Sequence, residues 1–277
     1  MNPYVHGENI KQKLASAKNA DALEMLKQIE EKYSQWKRRS ESIVGNNKDA
    51  VCKKVALLNE YKDFIDQPKF KMVGGRQYGF TPQSKLHSSV IEEFCYYLFR
   101  DIPSLQDGVI LLGPTMLYLD MSFAPRNLHA LKTGPAIELK QKHQDFALSK
   151  EIYIKYSPDD RVFKNDNIFV PAVAIECKTY LPITMLDQSA YEAERLKRGN
   201  PYSLYIILAE TNALTDDVIL KHTKIDQVFI LRKQKRDANP RKPIDTDVVY
   251  QFFQMVQNYL TEDWRKAGAT ERGKLIG

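Results

Sequence analysis

From Asn9 to Arg39, apolar residues return at helical spacing: Leu14, Ala17, Leu23, Leu26, Ile29, Tyr33 and Trp36, with charge on the opposite face. The pattern predicts a helix. Gly45-Asn46-Asn47 interrupts it, and Lys48 to Ile65 repeats it through Val51, Val55, Leu58, Tyr61, Phe64 and Ile65 until Pro68 closes the run. These helices suit an accessory subdomain over 1–68, or an arm for a partner, as well as plain packing. Leu86 to Phe99 reads as a further helix with Ile91, Phe94, Cys95 and Leu98 on its apolar face. On a helical wheel Glu92 stands at the edge of that face and Glu93 points nearly opposite. Glu92 is therefore the one placed to reach an internal site, or it is a plain solvent-facing carboxylate.

Beyond Pro103 the period shortens. Short strands are expected at Val109–Leu112, Met116–Phe123, Asp145–Leu148, Ile152–Tyr156, Val170–Cys177, Ser203–Ala209 and Gln227–Arg232, with helices over Met185–Arg198 and Asp245–Leu260. The order predicts an α/β (α+β) domain with a mixed sheet flanked by helices, plus the N-terminal helical region. Residues 69–85 hold three Gly with Lys71 and Arg76 among aromatics. They read as a basic linker, or as a loop fit to approach a phosphate backbone. The catalytic domain is expected over 86–265, and 266–277 reads as a polar tail.

The chemistry concentrates in Val170-Pro171-Ala172-Val173-Ala174-Ile175-Glu176-Cys177-Lys178-Thr179-Tyr180. An apolar strand delivers Glu176 and Lys178 to the same face, two residues apart. Charges at the end of a buried strand are costly unless they serve something. A carboxylate there can hold a divalent cation, and a neighbouring Lys can contact phosphate or orient a water. A hard-metal site needs a second carboxylate. Asp145 is the best candidate, brought beside the Glu176 strand by a hairpin of 145–148 with 152–156. Asp120 and Glu138 are weaker. Glu138-Leu139-Lys140 repeats the Glu-x-Lys spacing without the apolar lead-in. Cys177 points into the core by alternation and is not read as a nucleophile.

This segment resembles the core motif of the PD-(D/E)XK nuclease superfamily, in which a helix supplies a Glu, one strand an Asp and the next strand Glu-x-Lys. The chain repeats that order as Glu92, Asp145, Glu176 and Lys178. The stretch from Phe169 to Glu210 further resembles type II restriction endonucleases, specifically a subunit of the two-subunit BbvCI-like enzymes. Gln144 stands where the family carries Pro before the Asp. The resemblance implies Mg2+-dependent hydrolysis of phosphodiesters in double-stranded DNA, leaving 5'-phosphate and 3'-hydroxyl ends. Asp145, Glu176 and the Cys177 carbonyl would hold Mg2+, Glu92 a second ion or a water, and Lys178 the attacking water. A second, different subunit (or a second copy of this one) would cut the other strand, and a cognate DNA methyltransferase would protect the host. Another nuclease of the superfamily, or a non-catalytic DNA-binding protein, are the alternative readings.

Charge adds a modest amount. The 277 residues carry 41 Lys+Arg against 35 Asp+Glu, a formal net charge of +6, which permits a nucleic-acid partner without demanding one. The densest basic run is Arg232, Lys233, Lys235 and Arg236, with Arg241 and Lys242 following. It suits phosphate contact or a solvated surface equally. Lys197 and Arg198 close a helix and suit either DNA or the helix dipole. Arg126, His129 and Lys132 lie in another loop within reach of a groove. Three Cys form no disulfide framework. No apolar run approaches the roughly 18 residues of a membrane span. A reducing, cytoplasmic setting in a bacterium is the expectation.

Overall fold

The computed structural model describes residues 2–71, 80, 85–134, 136–157, 163–215 and 220–264. The N-terminal helical run divides into α1 (Val5–Ser16) and α2 (Ala20–Ser42). The single helix expected from Asn9 is broken because the Asn19 side chain accepts from the backbone N–H groups of Asp21 and Ala22, capping α2. Asn47 caps α3 (Lys48–Ile65) in the same way. Then come α4 (Ser89–Phe99), β1 (Leu111–Phe123), a short α5 (Leu128–Lys132), β2 (Ile137–Tyr156), β3 (Lys164–Leu181), α6 (Ile183–Gly199), β4 (Leu204–Asn212), β5 (Gln227–Ile230) and α7 (Thr246–Thr261). The loop expected around His129 contains α5, capped by Asn127.

The strands lie in the order β1-β2-β3-β4-β5. The first two pairings are antiparallel and the last two parallel. Three expectations are corrected. Val109–Leu112 and Met116–Phe123 belong to one strand, because Gly113-Pro114 is absorbed as a bulge opposite Ala147 and Gln144. Asp145–Leu148 and Ile152–Tyr156 are not a hairpin but one continuous strand. The intervening Ser149-Lys150-Glu151 holds no turn residue, and the chain reverses only after Tyr156. The final strand stops at Ile230, short of Arg232.

β3 and β4 are central and read as near-continuous apolar runs, as strands covered on both faces must. Pro171 is tolerated in β3 at a bulge: Leu148 pairs with Val173 and Ser149 with Pro171. One face packs against α1–α4 and α7 in a core that includes Trp36, Phe94, Phe99, Phe146, Ile175 and Phe252. The other face is covered by α6 through Leu186, Ala193 and Leu196 against Leu117, Ala174 and Ile207.

Gly199 sets how closely α6 approaches the sheet. A Cβ at that position would overlap the Leu119 carbonyl oxygen of β1, a backbone atom that cannot turn aside. Gly199→Ala is expected to cost about 1–3 kcal/mol through overpacking, read as a lower urea midpoint. An unchanged midpoint would mean that α6 slides freely on β1.

Candidate active site

The antiparallel register that pairs Phe146 with Ile175 sets Asp145 beside Glu176 one residue further along. Asp145 Oδ2 accepts the Cys177 backbone N–H at 2.9 Å, which ties the carboxylate to the β3 backbone. Lys178 Nζ donates to Glu176 Oε1 at 2.7 Å. The other carboxylate oxygen, Oε2, accepts from Lys142 Nζ and Gln144 Nε2, each at 2.9 Å. Lys142 also pairs with Glu192 of α6. Glu176 is thus held between two lysines at the end of a buried strand.

α4 delivers the fourth group. Glu92, Asp145, Cys177 and Lys178 line one cavity of about 200 Å³, together with Lys85 and Ser88. Glu93, the next residue, turns away into the core, where it accepts from the backbone of His6 and Gly7 and from the Tyr33 and Tyr97 hydroxyls. Glu92 lines the cavity and Glu93 does not, but the wheel set Glu93 nearly opposite the apolar face, whereas helices α1 and α2 bury it as completely as its neighbours.

The electrostatics separate the carboxylates. Burial, then the nearby Glu176 charge, pushes Asp145 up to about 6. Burial, then Asp145, pushes Glu92 up to about 8. Burial also works against ionised Glu176, but Lys142 and Lys178 outweigh it and hold its carboxyl below the ordinary range. Lys178 is likewise buried, yet Glu176 and Asp145 raise it above the ordinary lysine value, so it stays cationic. Burial, then Cys95, raises the Cys177 thiol well above its usual value. A buried thiol held neutral is no nucleophile, in agreement with its inward orientation.

Among the described residues no group of three or more His, Cys, Asp or Glu side chains converges as a metal cage. The donor set offered is Asp145 and Glu176, both hard oxygens, with Glu92 lining the same cavity. Lys142 and Gln144 of β2 are the site residues that the sequence pattern did not single out. They alternate onto the Glu176 contact two residues apart, and the Lys-x-Gln spacing running into the apolar Phe146-Ala147-Leu148 is the available signal.

Among the described residues most of the expected DNA-contact residues are engaged within the chain. Arg76 lies outside the described residues. Arg232 is a correction: it is 1% exposed and donates to Glu210 Oε2 at 3.1 Å, so it is a buried ion-pair partner rather than part of a basic surface. Lys233 is exposed and paired to Asp245. Lys235 donates to the Leu214 carbonyl at 2.7 Å. Lys197 is paired to Asp226, and exposed Arg198 to Glu194. Arg236 is exposed, with its guanidinium over the Tyr180 ring.

The order Glu92, Asp145, Glu176, Lys178 now stands on one helix and two paired strands. Against known families, the model described as Bpu10I restriction endonuclease matches residues 83–264. The chain belongs to this family. The match takes in α4, all five strands and α7, and so every one of those four residues. A solved structure, the native BbvCI A2B2 tetramer, superposes with a TM-score of 0.75 at 18% sequence identity, covering 93% of this chain and 96% of that one. The fold is therefore the mixed α/β core of restriction endonucleases, and the BbvCI likeness extends over the N-terminal helices. No curated protein matches the sequence. Among the described residues no helix is long and apolar enough to cross a membrane.

Proposed function

We propose that this chain is a catalytic subunit of a type II restriction endonuclease, hydrolysing phosphodiesters of double-stranded DNA with Mg2+ and leaving 5'-phosphate and 3'-hydroxyl ends. The observation that carries the reading is the Glu176–Lys178 pair with Asp145 fixed beside it by the β2–β3 register. Asp145 and Glu176 are the residues that would hold the ion. Mg2+ is commonly held by one or two carboxylates with waters and substrate phosphate completing the shell, so two protein donors suit it. Burial first, and then the like charge of Glu176, push Asp145 upward, and a divalent cation would relieve both. When bound, the ion offsets charge on the phosphate and lowers the pKa of a water.

The chain's own groups supply the rest. Cationic Lys178 donates to the attacking water and to the phosphate oxygens as their charge grows. Lys142 and Gln144 keep the Glu176 carboxylate oriented. Glu92, protonated more readily than its neighbours, is a hydrogen-bond donor toward the cavity near neutral pH. The Cys177 carbonyl is a further candidate ligand on the same strand.

The described residues hold one such site, and a duplex has two strands. We therefore read it as one of two different subunits, each cutting one strand, as the A2B2 composition of the BbvCI structure suggests. Such a nuclease would work beside a cognate DNA methyltransferase. Supercoiled plasmid is the direct test. With Mg2+ the chain is expected to nick it alone and to linearise it when its partner subunit is added, and EDTA is expected to return both to background. Cleavage that persists in EDTA would remove the metal from the mechanism.

A further inference from the structure

A second cavity, of about 300 Å³, adjoins the catalytic one and shares Thr179 and Tyr180 with it, the two residues after Lys178 on β3. Its walls include Lys62 of α3, Lys71, His87, Arg236 and Arg241. Asp66 lines it, and Glu210 and Arg232 lie against that wall. Lys62 Nζ is 2.7 Å from Glu210 Oε1 and 3.3 Å from Asp66 Oδ2. Lys71 is 2.8 Å from Asp66, and Arg241 spans Asp66 and Glu210 with 2.6 Å contacts to each.

The charges in this cluster do not balance. Among the described residues Lys62, Lys71, Arg232, Arg236 and Arg241 face two carboxylates, Asp66 and Glu210; Lys62 and Arg232 are buried with those two and balance them, so the surplus charge sits on Lys71, Arg236 and Arg241, which solvent reaches. Surplus positive charge around a hollow that solvent reaches draws an anion into it. Donor capacity is also left over. His87 is 5% exposed and lines the cavity; its Nδ1 faces Asp66 Oδ1 at 3.5 Å, and its Nε2 has no hydrogen-bond partner among the described residues. Among the described residues no carboxylate pairs with Arg236. Its guanidinium carbon sits 3.9 Å from the Tyr180 ring centroid, which holds the planar donor fork at the wall shared with the catalytic cavity.

We propose that this cavity is a phosphate site, and that its occupant is a backbone phosphate of the bound DNA close to the bond being cut. Lys, Arg and His donors converging on one hollow are the chemistry of phosphate recognition. The choice of DNA as the source rests on the nuclease reading above. The phosphate chemistry itself does not. A phosphate seated here would fix the strand where β3 carries Lys178 into the neighbouring cavity.

The test measures binding without cleavage. Full-length chain is titrated with a mixed-sequence duplex in EDTA at several salt concentrations, as wild type, as Lys71→Gln/Arg236→Gln, and as the charge-matched control Lys11→Gln/Lys27→Gln on the exposed faces of α1 and α2. The pocket variant is expected to bind about tenfold more weakly than the control and to lose about 1–2 from the slope of log K against log salt. In parallel, inorganic phosphate at constant ionic strength is expected to raise the melting temperature of the wild type and not of the pocket variant. A phosphate shift with duplex binding equal to the control would keep the site and assign it to free phosphate. Equal binding together with no phosphate shift would overturn it. Because no metal or cleavage enters, a chain that binds in this way but never cuts would sink the nuclease reading alone.

Discussion

Lys178→Ala is expected to lower single-turnover plasmid cleavage by about 10²–10³-fold or more, the usual cost of removing one preorganised donor to developing charge. Thermal unfolding of the variant should stay cooperative. The reason lies in the geometry around Glu176. Lys178 is the charge aimed into the catalytic cavity, whereas Lys142, on the other carboxylate oxygen, is tied to Glu192 as well. Removing Lys178 leaves Glu176 still paired to Lys142 and Gln144, so the buried carboxylate is not orphaned. Glu176→Ala should abolish cutting too, but by another route. It strands Lys142 and Lys178 together without their shared counter-charge, so its melting temperature is expected to fall. Lys178→Arg should recover little, because a planar fork does not replace a compact ammonium. Retained cutting by both the Lys178 and Glu176 variants would remove these residues from the mechanism.

What the sequence disclosed and what it hid have physical reasons. Glu-x-Lys behind Val173-Ala174-Ile175 was legible because alternation and burial act within one strand. A helical wheel, which needs only the 3.6 period, separated the directions of Glu92 and Glu93, but it could not show that α1 and α2 cover the Glu93 side as well. Strand lengths were not, since Gly113-Pro114 carries the signature of a turn and is used as a bulge. Lys142 and Gln144 were hidden because the polar stretch before Asp145 was not read as strand. It is strand, paired along its length with β1. Arg232 shows the limit most clearly. A run of basic residues looks like a surface, and nothing local reveals that Asp66 and Glu210, from distant elements, draw one of its members inside.

Glu93 carries the largest stability prediction. It is fully buried and satisfies four donors at once: the backbone N–H of His6 at 3.0 Å and of Gly7 at 3.2 Å, Tyr33 Oη at 3.0 Å and Tyr97 Oη at 2.7 Å. Two of these are orphan N–H groups in the first turn of α1, where a carboxylate is favoured. Glu93 therefore pins α1 and α2 to α4, and in doing so fixes the rotation of α4 that turns Glu92 toward the cavity. Glu93→Ala leaves all four donors buried without an acceptor, and is expected to cost about 3–5 kcal/mol, read from urea midpoints. Cleavage should fall with it at temperatures where the variant remains folded, because Glu92 loses its placement. The pH dependence has a definite sign. Burial outweighs the four hydrogen bonds and pushes Glu93 up to about 7, above its ordinary value of 4.5. The folded state therefore holds this proton more tightly than the unfolded chain does. The resulting stabilisation is complete below pH 4.5 and is lost as pH rises through 7. Glu93→Gln keeps the shape and one acceptor but cannot titrate. It should be less stable than wild type at pH 5, with the gap narrowing by a few kcal/mol as pH passes 7. Parallel stability curves for the two proteins across that interval would show that Glu93 is ionised throughout, and that the four donors, not burial, set its charge.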